Sequence, residues 1–234
     1  MAGITDANFL NKVIPYGFNV ATLGGFNLDK PTIKASKKIL ERGREEFHFP
    51  QNIIYSHIKN EVNSIKDVNP NVKVSVNVRS TNPEAIIKLD EIEQLDIIEI
   101  NCHCRQPEFL EIGCGQSMLE RPNLGEFISN VVNNVSKEVS VKTRANVVDD
   151  LEIAKIIDKS GANYLHIDAM KPGVFDADYD ILREICSNVN VPVIGNNSID
   201  SEEKIIKMLD TGVSGFSIAR AAISGKLNFN ISKF

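Results

Sequence analysis

The feature that most constrains the fold is a regular alternation between short apolar, β-branched runs and segments with helical periodicity. Seven such runs predict strands, at residues 17–26, 72–79, 95–104, 139–144, 164–170, 191–197 and 215–221. Several intervening segments begin with Asn, Asp or Ser and two end on Gly, as helices commonly do. Strict alternation of this kind, with nearly continuous apolar strands, is typical of a parallel sheet covered by helices.

The number of these units favours a (βα)8 TIM barrel over an open doubly wound sheet, in one α/β domain that spans residues 1–234. A length of 234 residues suits such a barrel. No Gly-x-Gly-x-x-Gly motif follows the first predicted strand, which argues against a dinucleotide fold. Because only seven strands are counted, the first strand of the barrel is predicted to be truncated or missing.

Charge and composition narrow the classes of partner. The net charge is −5, which argues against general electrostatic binding to nucleic acid or anionic membranes but allows a local basic patch. No apolar run approaches the roughly 20 residues of a membrane span, and the N-terminus lacks a secretory signal. The four cysteines are therefore predicted to be reduced, in a cytoplasmic protein. The basic segment at residues 34–45 is interpreted as a solvated helix face rather than a nucleic-acid contact.

Polar residues cluster where the predicted strands end, which is where barrel enzymes carry their chemistry. They are Asn77, Arg79, Asn101 to Cys104, Lys142, Arg144, Asp168, Asn196, Asn197 and Arg220. Six consecutive strands that end in this way predict one polar mouth. We expect Asp168 to be a carboxylate of that mouth in preference to a member of a buried ion pair, and His166 to be a satisfied interior histidine.

The stretch at residues 99–119 contains three of the four cysteines and one histidine. Its spacing fits no common zinc pattern, so no metal site is predicted. Thiols in an apolar strand are often plain core residues. One reactive thiol, with the other cysteines as packing, and a purely structural role for all of them both stay open from the pattern alone.

Several motifs, taken together, resemble the FMN-dependent tRNA-dihydrouridine synthases. The opening "MAGITDANF" is similar to the family's Met-Ala-Gly-Val-Thr-Asp-x-x-Phe, and "EINCHC" followed by "GCG" resembles its Asp-Ile-Asn-x-Gly-Cys-Pro and later Gly-x-Gly. The segments "VKTR", "VPVIGNNSIDS" and "SIARAAISG" are similar to the motifs after strands five, seven and eight. The match runs from residue 1 to about residue 225, and its order and spacing make it specific.

The resemblance implies a site. Cys104 would protonate a uracil ring, and Asn101 and Arg144 would orient that ring. FMN would be bound by Met1, Ala2, Asn77, Lys142, Asp168, Asn196, Asn197, Ala219 and Arg220. NAD(P)H is implied as the electron donor.

Three positions depart from the family pattern. Asp168 stands where the family has a histidine, and an anion close to a flavin phosphate would be repulsive. Asn197 replaces a glycine and must supply any left-handed backbone conformation, which Asn tolerates better than most residues. Ala219 replaces the glycine before Arg220.

Three functions remain open. The first is reduction of a C=C bond in a uracil of tRNA, and the second is a small-molecule flavin dehydrogenase of the dihydropyrimidine or dihydroorotate type. The third is a non-catalytic barrel that binds phosphate or flavin. The oligomeric state is open, with a homodimer among the possibilities.

The N-terminus carries one further expectation. In the family the Met-Ala-Gly motif follows the first strand, whereas this sequence begins at that motif. We expect a segment upstream of Met1 to supply the strand. The alternative is a short stub near Met1 whose gap is filled by another segment or subunit.

Overall fold

The computed structural model describes residues 3–234, and its centre is one parallel sheet of seven strands in the order β1-β2-β3-β4-β5-β6-β7. The strands are β1 Val20–Asn27, β2 Lys73–Arg79, β3 Ile97–Asn101, β4 Glu138–Arg144, β5 Tyr164–Asp168, β6 Val193–Asn196 and β7 Gly215–Phe216. Each overlaps a run predicted as a strand, and only β1 and β4 extend past their runs, by one residue each, at Asn27 and Glu138. The predicted α/β class and the count of seven strands are therefore confirmed for the described part of the chain.

Helices connect the strands and cover the outside of the sheet. They are α1 Ala7–Val13, α2 Lys30–Glu41, α3 Ile54–Val68, α4 Pro83–Ile87, α5 Pro107–Leu110, α6 Leu124–Asn133, α7 Asp150–Lys159, α8 Tyr179–Cys186 and α9 Glu202–Leu209. Short 3-10 turns lie at Ile14–Tyr16, Lys88–Glu91, Gly115–Glu120 and Arg220–Ala222. No helix within residues 3–234 has the length and apolar character needed to cross a membrane.

Polar caps begin the helices where the sequence predicted them. Asn82 accepts a hydrogen bond from a backbone N–H at the start of α4 (3.1 Å), and Asp149 does the same for α7 (2.9 Å). Ser201 caps α9 in the same way, at 3.3 Å. These bonds satisfy N–H groups that the first helical turn leaves without a partner.

Alternate positions of each strand serve the two faces of the sheet. On β2, Val74, Val76 and Val78 are completely buried in the main hydrophobic core, whereas the alternate positions carry Asn77 and Arg79. Side chains of β3 and β5 hydrogen-bond to each other although these strands are not neighbours. Such a bond requires a curled sheet, so the polar face is the concave inner face.

The sheet remains open over the described residues, because β1 pairs with β2 and β7 pairs with β6. On the side of β1 away from β2, the backbone N–H of Gly24 donates to the carbonyl of Thr5 at 3.0 Å. This arrangement agrees with the predicted barrel that lacks its first strand. The expected upstream segment stays a prediction.

Candidate active site at the carboxyl end of the sheet

Two asparagines and a glutamate form a hydrogen-bonded row across β2 and β3. Asn77 Nδ2 donates to Glu99 Oε1 (2.8 Å), and Asn101 Nδ2 donates to Asn77 Oδ1 (2.7 Å). All three residues are buried. The carboxamides of Asn77 and Asn101, two predicted ligand-binding residues, are thus held in fixed orientations by each other and by Glu99.

Glu99 also anchors a second row that crosses the inside of the sheet. His166 Nδ1 lies 2.7 Å from Glu99 Oε2, and His166 Nε2 lies 2.7 Å from Ser217 Oγ. Burial lowers the pKa of His166, so a neutral ring donates to Glu99 and accepts from Ser217. The pKa of Glu99 is also lowered, because His166, Lys142 and Asn77 outweigh the cost of its burial. His166 is thus the satisfied interior histidine that was expected.

Asp168 corrects an expectation. It was expected to be a mouth carboxylate rather than part of a buried ion pair, but it is only 7% exposed and bonds Arg144 Nη1 at 2.8 Å. His103 Nε2 lies 2.7 Å from the same oxygen, and Asn197 Nδ2 donates to the other at 2.6 Å. Against the effect of burial, these partners lower the pKa of Asp168 to about 2. The carboxylate is therefore neutralised by Arg144, and Arg144 is itself engaged before any substrate binds.

The ion pair of Asp168 has a testable effect on acid stability. A carboxyl group whose folded pKa is depressed from 3.8 to about 2 stabilises the fold above its unfolded pKa and loses that contribution as the pH falls through the folded value. Asp168→Asn is expected to lower the free energy of unfolding by on the order of 2 kcal/mol at neutral pH. Urea unfolding should show this difference shrinking from about pH 4 to pH 2. A constant difference would assign the loss to packing instead.

One cation and one amide oxygen in the site have no partner within residues 3–234. Lys142 is half-buried on β4, and its side-chain ammonium forms no hydrogen bond or ion pair with the described residues. The side-chain oxygen of Asn196, at the end of β6, is buried and accepts no hydrogen bond. Buried polar atoms normally have partners. Both groups could therefore gain a partner from a ligand.

The segments after β6 and β7 carry the residues predicted to bind a phosphate. Asn197 and Ser198 adopt positive φ angles of 124° and 51°, which confirms that Asn197 takes the unusual backbone conformation. Arg220 is exposed, with its guanidinium 5.1 Å from the centre of the Phe175 ring. Ala219 directly precedes Arg220 and is half-buried. Backbone amides in such turns, with one free guanidinium, are a common means of binding phosphate.

Cys104 lies in a tightly held loop after β3. The side-chain oxygen of Asn101 accepts hydrogen bonds from the backbone N–H groups of His103 (3.1 Å) and Cys104 (2.9 Å). The carbonyl of Cys104 accepts from the N–H of Gln116 at 2.8 Å. The backbone of Cys104 is thus fixed in place, and the residue is partly exposed to solvent.

The other cysteines of the stretch are in a different environment. Cys102 and Cys114 are free thiols but buried, and burial raises the pKa of both, to about 12 for Cys114. Thiols in this state are inert. Across residues 3–234, no three His, Cys, Asp or Glu side chains converge to hold a metal ion.

Gly115 determines how closely the Cys104 loop packs. Its φ is +65°, and a Cβ there would lie 2.3 Å from the Cys104 carbonyl oxygen. Gly115→Ala is expected to destabilise the protein by about 1–3 kcal/mol and to displace Cys104. Gly43→Ala is a matched control, because Gly43 also has a positive φ (+80°) but no atom within 4 Å of its Cβ position. Equal losses in thermal unfolding would show that the contact with Cys104 is unimportant.

Arg79 corrects a second expectation. It was predicted at the polar mouth, but its side chain is 1% exposed and pairs with an equally buried Glu46 at 2.7 Å. Glu46 lies in the irregular segment between α2 and α3, and sequence reasoning missed it. Glu99 and Ser217 were missed as well, although Glu99 begins the "EINCHC" motif. Met1 and Ala2, two predicted flavin contacts, lie outside the described residues.

Comparison with known proteins identifies the family. A sequence model described as dihydrouridine synthase matches residues 49–227, and an uncharacterised protein of Methanocaldococcus jannaschii is 38% identical over 98% of this chain and 89% of its own length. The chain belongs to the dihydrouridine synthase family. The tRNA-dihydrouridine synthase B of Proteus vulgaris is 32% identical over 63% of this chain and 50% of its own length. A probable tRNA-dihydrouridine synthase of Helicobacter pylori is 27% identical over 95% and 65%.

This dihydrouridine synthase homologue therefore spans about half to two thirds of the tRNA-dihydrouridine synthases that it resembles. Solved structures agree on the fold. FabK from Thermotoga maritima superposes with a TM-score of 0.58 at 13% identity, over 92% of this chain and 54% of that one. Thiamine phosphate pyrophosphorylase from Pyrococcus furiosus superposes with a TM-score of 0.53 at 15% identity, over 93% and 80%. At these identities the likeness concerns the fold alone.

Proposed function

We propose that this protein is an FMN-dependent oxidoreductase that reduces the C5–C6 double bond of a uracil ring. One observation carries the proposal. Cys104, partly exposed in a loop that hydrogen bonds hold, lies at the same end of the sheet as three other groups. They are a lysine whose ammonium has no hydrogen-bond or ion-pair partner among residues 3–234, a buried amide oxygen without a donor, and a turn with positive φ angles. These are the groups that a flavin and a pyrimidine ring require, and family membership supports the assignment.

The residues of the site fit FMN. Lys142 and Asn196 offer a free ammonium and a free amide oxygen, which suit the flavin's carbonyls and its N–H or hydroxyl groups. Arg220 and the turn at Asn197 suit a phosphate. Asp168 no longer argues against a phosphate, because Arg144 neutralises it. Asn77 can still contribute its second amide hydrogen and lone pair.

The chain's own residues would orient the substrate and supply a proton. When bound, reduced FMN supplies a hydride to C6 of the ring, and NAD(P)H is the proposed source of its electrons. Cys104 donates the thiol proton to C5, so the S–H bond breaks, a C–H bond forms and the electron pair stays on sulfur. Asn101 holds the Cys104 loop by accepting hydrogen bonds from the backbone N–H groups of His103 and Cys104. The N–H groups of Arg144 other than the one bonded to Asp168 can orient a ring carbonyl.

The proposed substrate is a uridine in tRNA, as the names of the relatives support. A small pyrimidine is the second candidate, and the net charge of −5 favours it over a polyanion. The proposed substrate and four unpaired cysteines fit the reducing cytoplasm. A non-catalytic flavin-binding barrel is the third. Mass analysis of RNA and of free uracil after incubation with FMN and NAD(P)H distinguishes these three functions. A non-catalytic barrel would leave both the RNA and the free uracil unchanged.

Arg220 provides a direct test of the FMN site. Arg220→Ala is expected to weaken FMN binding at least about tenfold, because a hydrogen bond to a charged group contributes roughly 1.5–3 kcal/mol. Thermal stability should stay unchanged, since the side chain is exposed. Arg183→Ala removes another exposed arginine, which pairs with Asp180 on α8, and should leave FMN binding intact. Quenching of flavin fluorescence measures the FMN affinity of both variants. Undiminished binding in the Arg220→Ala protein would place the phosphate elsewhere.

A further inference from the structure

Arg79 is a buried cation whose hydrogen bonds can be counted. Its two terminal nitrogens donate to both carboxylate oxygens of Glu46, at 2.9 and 2.7 Å, and Nη2 also donates to the carbonyl of Gly25 at 2.5 Å. The guanidinium lies 4.2 Å from the centre of the Phe109 ring. The planar group is thus held from several sides and cannot turn without breaking these contacts.

One terminal N–H of Arg79 remains after this count, and it is directed at the candidate thiol. Arg79 Nη1 lies 3.7 Å from Cys104 Sγ, which is hydrogen-bonding distance for sulfur. Glu46 neutralises the overall charge of Arg79 but leaves the positive end of this N–H dipole facing the sulfur. A thiolate accepts such a bond more strongly than a thiol does, so the contact strengthens when the sulfur gives up its proton.

We propose that Arg79, held by Glu46, is a positioning residue that hydrogen-bonds the sulfur of Cys104 and stabilises the thiolate that proton donation leaves there. The contact between Arg79 and Cys104 stands on the geometry. Its role in uracil reduction rests on the proposed function. Proton donation to the ring leaves a thiolate on Cys104, and the Arg79 N–H stabilises that charge where it forms. No other cysteine of the described chain receives a hydrogen bond from an arginine.

The test is the pH profile of cysteine alkylation in the purified full chain. Iodoacetamide reacts with the thiolate, and peptide mass analysis follows Cys104 and Cys186 in the same sample. Cys186 is partly exposed on α8 and is the internal reference. The readout needs neither flavin nor pyrimidine.

Two variants should shift the Cys104 profile in opposite directions. Arg79→Lys cannot satisfy both Glu46 and the sulfur, and should raise the midpoint by about one pH unit, which means about tenfold slower alkylation below it. Glu46→Gln leaves the cation of Arg79 without its counter-charge and should lower the midpoint. If the Arg79–Glu46 pair had a purely structural role, the two variants would not shift the midpoint in opposite directions.

A third variant protects the test against misfolding. Arg79→Leu/Glu46→Leu replaces the buried pair with apolar side chains, an exchange that buried pairs often tolerate, and should raise the midpoint as Arg79→Lys does. Circular dichroism verifies the fold of each variant. An unchanged Cys104 midpoint in the folded variants overturns the proposal. Shifted midpoints in a protein that reduces no uracil would instead support it and overturn the proposed function.

Discussion

Cys104→Ala is expected to lower the rate of uracil reduction by roughly 10²–10⁴-fold, the usual contribution of one general acid. The reason is geometric. Cys104 is the accessible thiol of its loop, whereas Cys102 and Cys114 are buried with raised pKa values and cannot replace it. Single-turnover oxidation of the reduced flavin by substrate measures the step directly.

FMN affinity and thermal stability should stay near those of the unsubstituted protein, because the side chain removed is small and partly exposed. Cys186→Ala is the matched control, since it removes the other partly exposed thiol. A Cys104→Ala protein that oxidises its reduced flavin at the normal rate would remove this residue from the mechanism.

Glu46→Ala is expected to destabilise the fold by about 3–5 kcal/mol, because breaking a buried ion pair leaves an uncompensated charge. Glu46 and Arg79 are each 1% exposed at the side chain, so water cannot replace the lost carboxylate. A loss of this size is a large part of the free energy of unfolding of an ordinary domain. Urea unfolding measures it.

Two control variants test whether the loss of stability in Glu46→Ala comes from the unpaired buried charge. Glu46→Leu/Arg79→Leu should be much more stable than Glu46→Ala, because the unpaired cation is gone. Glu203→Ala breaks the exposed pair with Lys207 on α9 and should have no measurable effect. A Glu46→Ala protein as stable as the Glu203→Ala protein would contradict a buried pair at this position.

Local sequence patterns predicted most of the fold. Each of the seven β-branched runs overlaps one strand, and caps such as Asn82 and Asp149 lie where expected. These features could be read because strand periodicity and capping depend on residues close together in the chain. The ends of the strands were predicted less well. The seventh run was predicted to be seven residues long, but β7 comprises only Gly215–Phe216.

The site was predicted only in part, because side-chain pairing depends on distant residues. The chain position of Asp168 at a strand end was visible, but its bond to Arg144 follows from the register of β4 on β5, where the two are direct neighbours. The partner of Arg79 lies 33 residues away in a segment without regular structure. No local motif marks such a glutamate. The pairings therefore required the three-dimensional arrangement.

Flavin-dependent reduction of a uracil ring can be measured by incubating the purified protein with FMN, NAD(P)H and unmodified tRNA. Nucleoside mass analysis then measures the gain of two hydrogens at uridine. We predict a yellow protein and dihydrouridine that forms only with both cofactors and disappears in Cys104→Ala. A protein that binds FMN but reduces neither tRNA nor free uracil would contradict the proposed activity. A protein that binds no FMN would contradict the assignment of the site itself.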